Sequence, residues 1–157
     1  MNDRPRIQPV PAAPPRPGPE LCSEEEVVRL VHDFYARVRL DARLGPIFEA
    51  RVHDWPEHLD QLVAFWSALL RGTRRFRGAP MPKHMAIPGL SAELFLRWLE
   101  LFAQTTAESG NPALRAEADE AAWRIADNFW QRYQMQQDPF ATPSPLRQRS
   151  VLPILGG

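Results

Sequence analysis

The sequence predicts an all-α domain, and three observations predict it. Four segments between about residues 23 and 135 carry apolar side chains at helical spacing. No segment shows a convincing run of strand-like alternation. The breakers gather between these segments and at the two ends, where proline dominates.

The first helix opens at Ser23 with Glu26 three residues on, a capping-box pattern in which each side chain serves the other's backbone N–H. Val27, Leu30, Val31, Phe34 and Val38 keep one face, and Gly45-Pro46 closes the region after it. The second begins near Trp55-Pro56, because proline is tolerated where the N–H would be unpaired anyway. Its inward stripe is Leu59, Leu62, Phe65, Trp66 and Leu69, and Gly72 ends it. The third opens at Ser91 and carries Leu94, Phe95, Trp98, Leu101 and Phe102 inward, stopping before Gly110. The fourth starts at Asn111-Pro112, a cap followed by proline. Leu114, Ala118, Ala121, Ile125 and Phe129 form its inner stripe.

Seven of the 17 prolines lie in the first 19 residues. That stretch has too few large apolar side chains to offset its ordering entropy. Residues 1–21 and 138–157 therefore read as disordered proline-rich tails, and 22–137 as the folded domain. Between the second and third helices, residues 72 to 90 hold Gly72, Gly78, Pro80, Pro82, Pro88 and Gly89, which forbids a long helix there. A long irregular connection inside a compact domain is usually functional.

Nineteen basic residues cancel 19 acidic ones. No net positive field favours nucleic acid or an anionic membrane surface. The single cysteine, Cys22, cannot make an intrachain disulfide, which suits a reducing compartment. No stretch of 18 or more residues is apolar throughout, and no apolar signal core stands at the N-terminus. A cytoplasmic, membrane-free protein is expected.

No zinc spacing, phosphate loop or nucleophile elbow occurs among these residues. Cys22 has no base fixed beside it by the sequence. His84 sits in the breaker-rich connection beside Lys83 and before Met85 and Ile87. It reads either as a surface histidine or as a neutral imidazole held for a metal by a stiff, apolar segment. Tyr35 on an amphipathic helix reads first as a core tyrosine, and His58 shares the stripe of Leu62 and Phe65. Trp98 lies on an inner face, where its indole offers a donor only. Arg71, Arg74, Arg75 and Arg77 read as a solvated run, or as partners for the carboxylates of a cofactor.

Taken together, four strings in order resemble a known family. These are Phe34-Tyr35-Ala36-Arg37-Val38-Arg39 with Asp41 and Leu44-Gly45-Pro46-Ile47-Phe48, then Trp55-Pro56-Glu57-His58 with Phe65-Trp66. Gly78 to His84, ending Ile87-Pro88, and Phe95 to Phe102 complete the set. The pattern resembles the group III truncated haemoglobins over roughly residues 23 to 135. The resemblance implies a shortened globin fold, a two-over-two helical sandwich around haem b. It implies His84 as the axial iron ligand. It also implies Phe48, Leu62, Phe65 and Met85 against the haem, and Tyr35, His58 and Trp98 as the polar distal groups. Oxygen, nitric oxide or another diatomic molecule is then the expected ligand, with an electron donor as partner and a monomer as the working unit. Hydrogen-bond donors in the pocket favour ligand retention, hence nitric oxide dioxygenation or a peroxidase-like step over bulk oxygen transport. The competing readings are a haem-free helical interaction domain and a haem-based sensor.

Overall fold

The computed structural model describes residues 17–74 and 87–146. Five helices account for the secondary structure of these residues: α1 (Glu24–Leu40), α2 (Leu44–Arg51), α3 (Trp55–Arg71), α4 (Ala92–Ala107) and α5 (Pro112–Gln137). The pairs α1–α3 and α4–α5 form two layers, joined where α1 meets α4 and α3 meets α5. The all-α, two-over-two expectation holds for the described chain.

The helix starts follow their sequence signals. Ser23 Oγ accepts from the Glu26 N–H at 3.1 Å while Glu26 Oε1 accepts from the Ser23 N–H at 3.0 Å. Asp54, Ser91 and Asn111 cap α3, α4 and α5 with their side chains. Asn111 does more than cap: its Nδ2 donates to the Leu21 carbonyl and to Glu26, tying the start of α5 to the start of α1. Gly72 closes α3 at φ 73°, a left-handed conformation that glycine adopts without steric cost.

One helix departs from the expectation. Gly45-Pro46 does not end a region; both residues lie in the first turn of α2. A proline there sacrifices no intrahelical hydrogen bond, so it starts a helix as readily as it breaks one. Gly45 is required for a different reason. A Cβ at this position would lie 2.6 Å from the Arg39 carbonyl oxygen, so α2 can leave the end of α1 at this spacing only without a side chain.

The core is centred on Val27, Val31, Phe34 and Val38 of α1, Trp66 and Leu70 of α3, Phe102 of α4 and Leu114 of α5, all 2% exposed or less. Trp98, Phe102 and Trp66 stack in series at 5.7 and 4.9 Å between centroids. Phe34 meets Trp98 and Phe102 edge-on. On α3 the fully buried stripe is Val63, Trp66, Ser67 and Leu70. Of the expected stripe, Trp66 is buried, while Leu59, Leu62, Phe65 and Leu69 are only half-buried. The helix is apolar over two faces, and periodicity alone does not say which one meets the core.

The folded part also extends past both boundaries expected from sequence. Gly18 donates to the Leu70 carbonyl at 2.9 Å, and Leu21 is buried. Beyond α5, Ser144 and Gln134 exchange two hydrogen bonds, and the Leu146 N–H donates to Asp127 at 2.8 Å. Leu146 is fully buried. One apolar side chain and three bonds to α5 are enough to hold a segment whose composition reads as tail.

Candidate functional site

Tyr35 stands at the centre of the site. Its position on α1, one residue after the core Phe34, turns it toward the join of α1, α2 and α3. Phe48 of α2 lies edge-on at 5.8 Å between centroids, His58 of α3 edge-on at 6.2 Å, and Trp55 tilted at 6.3 Å. Phe34 packs edge-on at 4.7 Å from the inner side. The Trp98 indole, which can only donate, lies within reach of the Tyr35 hydroxyl and acts to lower its pKa. Burial pushes the phenol well above its ordinary range, and Trp98 only partly offsets this. The hydroxyl therefore stays protonated at any physiological pH. Its proton can be offered to an acceptor.

The structure thus brings Tyr35, Trp98, His58 and Phe48 to one place. Trp98 stands close enough to Tyr35 to act on its phenol. Leu62 and Phe65 lie on the half-buried apolar face of α3, packed against the rim of the core. Leu94, Phe95 and Trp98 of α4 are half-buried in the same manner. His84, Met85, Arg75 and Arg77 lie outside the described residues. Among the described residues to either side, Gly72 caps α3 and the Leu90 N–H donates to the Tyr133 hydroxyl at 3.2 Å. Tyr133 stacks on Trp130, which in turn packs against Phe95 at 5.8 Å. The Trp130 indole N–H is buried without a partner among the described residues. Of the arginine run, Arg71 is engaged elsewhere: it donates to the Cys22 carbonyl and pairs with Glu24 at 3.1 Å.

Sequence reasoning missed Trp55 as part of this cluster. Its indole is 5.6 Å from the His58 ring and nearly perpendicular to it. The signal was present, since residues three apart share a helix face. Cys22 is buried. Burial, with help from Glu26, pushes its thiol up to about 11. Among the described residues no group of three His, Cys, Asp or Glu side chains could hold a bare metal ion. No described helix is long and apolar enough to cross a membrane.

Comparison with known proteins agrees with this arrangement. Residues 20–138 match the family model described as bacterial-like globin. The chain is 32% identical over 114 residues to the group 3 truncated hemoglobin ctb of Campylobacter jejuni, covering 70% of this chain and 90% of the relative. The crystal structure of the group III truncated hemoglobin from Campylobacter jejuni superposes with a TM-score of 0.64, at 32% identity over 70% of this chain and 90% of that one. A buried phenol ringed by aromatic side chains, on a two-layer set of helices with this sequence kinship, leads to one conclusion: the chain belongs to the bacterial-like globins and, among them, to the group III truncated haemoglobins, a haem-binding family.

Proposed function

We propose that this globin holds haem b through His84 and binds oxygen, nitric oxide or a similar diatomic ligand beside Tyr35, for redox or nitrosative chemistry. The observation that carries the reading is the meeting of two features. A protonated phenol backed by Trp98 adjoins the apolar faces of α3 and α4, which the protein's own core leaves half-covered.

The residues present fit the cofactor. A porphyrin needs flat apolar walls, and Phe65, Leu62 and Phe95 supply large side chains with surface still to bury. Phe48 adds an aromatic wall next to Tyr35. The ligand assignment to His84 rests on the family resemblance of its segment. When bound, haem supplies ligand binding and one-electron chemistry at its iron.

The chain's own residues tune how tightly a ligand is kept. Tyr35 offers a hydrogen bond to a ligand that gains negative charge, and the Trp98 indole makes that phenol a stronger donor by polarising it. His58, edge-on to Tyr35, supplies a third polar group beside it. The surrounding rings exclude water, so each of these dipoles acts in a medium of low dielectric. A pocket that retains its ligand is suited to nitric oxide dioxygenation or a peroxidase-like step, run with an external electron donor. It is poorly suited to rapid oxygen delivery. We take the monomer as the working unit.

The test is an absorption spectrum of the purified, haem-supplemented protein, followed by mixing of its oxygenated form with nitric oxide. A Soret band that is lost or strongly weakened in His84→Ala supports the ligand assignment. A colourless wild-type protein, or a His84→Ala spectrum identical to wild type, overturns it. Nitric oxide consumption no faster than in buffer removes the dioxygenase reading while leaving haem binding intact.

A further inference from the structure

Three elements converge on the Trp55 indole, which opens α3 and is 9% exposed. The Arg39 guanidinium of α1 lies over the ring, its central carbon 4.4 Å from the centroid. Arg39 Nε donates to Glu49 Oε1 of α2 at 2.7 Å, and Trp55 Nε1 donates to the other carboxylate oxygen at 3.4 Å. One carboxylate thus holds the cation and the indole together. On the pocket side, the His58 ring stands 5.6 Å from Trp55 at 86°, and 6.2 Å from Tyr35 at 83°.

As a stabilising device this cluster is weak. The Arg39 and Glu49 side chains are 43% and 47% exposed, and exposed ion pairs contribute little. Its consequence is geometric. An imidazole has two side-chain torsions, and a planar wall beside it restricts both. A cation over the face of that wall and a carboxylate on its N–H bias it toward one orientation.

We propose that Trp55 is a positioning residue for the distal pocket: clamped from the solvent side by Arg39 and Glu49, it holds the His58 ring against Tyr35. The proposal rests on the haem-pocket reading of this site. His58 then presents its polar edge to the ligand in one orientation, and the clamp decides how often the ring departs from it.

The experiment uses the haem-loaded ferrous protein with carbon monoxide bound, which is diamagnetic. Nuclear Overhauser contacts between the His58 and Tyr35 rings are measured in wild type, Trp55→Leu and Trp55→Phe, together with oxygen dissociation rates and a His58→Leu reference. Trp55→Leu is expected to keep the Soret band and helical content but lose the His58–Tyr35 contact. Its oxygen dissociation should shift toward that of His58→Leu, by about fivefold for one lost neutral hydrogen bond. Trp55→Phe keeps a ring in place and is expected to retain the contact. A wild-type contact in Trp55→Leu, or equal loss in Trp55→Phe, overturns the proposal. Should Trp55→Leu fail to fold, the double variant R39Q/E49Q removes the clamp from outside, and an unchanged contact there overturns the proposal too. A missing Soret band in wild type instead overturns the haem reading itself.

Discussion

The Trp98 indole, a donor only, lies within reach of the Tyr35 hydroxyl, and the Tyr35 ring is buried among four aromatic neighbours. The two donors therefore depend on each other. Tyr35→Phe removes the bond to a ligand with developing charge, for which about 1.5 to 3 kcal/mol is usual. Oxygen dissociation should accelerate roughly ten- to a hundredfold. Trp98→Phe removes only the polarising bond and should accelerate it by about fivefold or less. The double variant should dissociate no faster than Tyr35→Phe alone, because Trp98 acts through a hydroxyl already gone. Displacement of oxygen by carbon monoxide in a stopped-flow instrument reads all three, and additive effects would show that the two donors work independently. Burial raises the Tyr35 phenol above its ordinary range, so its contribution should not change with pH from neutral to about 10.

Gly45 sets how α2, with Phe48 and Glu49, leaves α1. Alanine is the better helix former by roughly 1 kcal/mol, which taken alone favours Gly45→Ala. The contact outweighs this. A Cβ 2.6 Å from the Arg39 carbonyl oxygen meets backbone, which no rotamer change relieves. Overpacking of this kind costs about 1 to 3 kcal/mol. Gly45→Ala should therefore lower the melting temperature, and a variant as stable as wild type would show that α2 shifts freely on α1.

The helices of this protein were largely legible because their starts carry local chemistry. Ser23-x-x-Glu26, Ser91 and Asn111-Pro112 each cap the helix they announce. What escaped were features that depend on partners far away in sequence. The buried stripe of α3 is Val63, Trp66, Ser67 and Leu70, chosen by α1 and α5 with Phe102 of α4 stacked on Trp66, while Leu59, Leu62, Phe65 and Leu69, also expected inside, lie on its second face. Tyr35, Phe48, His58 and Trp98 could be named from the ordered family pattern. That Trp98 reaches Tyr35 came only from the packing of α1 against α4, whereas the Trp55–His58 pairing was readable from their spacing on α3.

Asp41 links the end of α1 to both α2 and α4. Its Oδ2 accepts from the N–H groups of Arg43 and Leu44, and its Oδ1 accepts from Arg97 at 2.8 Å. Burial acts to raise the carboxyl, but the Leu44, Arg97 and Arg43 hydrogen bonds together outweigh it and hold the group below the ordinary range. A folded-state value below the unfolded one gives stability that is present above about pH 4 and lost as pH falls through the folded value. Thermal melts should therefore show a falling melting temperature on acidification below about 4. Asp41→Asn should be less stable at neutral pH and show a shallower acid slope, since the titrating group is gone. An acid slope unchanged in Asp41→Asn would assign the effect to other carboxylates, of which Glu26, lowered by its Ser23 hydrogen bond, is the first candidate.

Leu146 ties the described residues beyond α5 to the domain. Its side chain is fully buried, its N–H donates to Asp127, and Ser144 before it exchanges two bonds with Gln134. Replacing a buried leucine by alanine costs about 2 to 5 kcal/mol, a large share of the stability of a small domain. Leu146→Ala should lower the denaturant midpoint by a corresponding amount with little change in slope. A chain ending after Ala141 should be destabilised at least as much, since it loses the bonds to Gln134 and Asp127 as well. Because α5 also carries Trp130 and Tyr133, which hold the chain where it re-enters at Leu90, the truncated protein should also release haem faster. Both are read by denaturant titration and by haem transfer to an acceptor globin. Wild-type stability in the truncated chain would return the boundary to residue 137 and leave residues 138–146 as a dispensable extension.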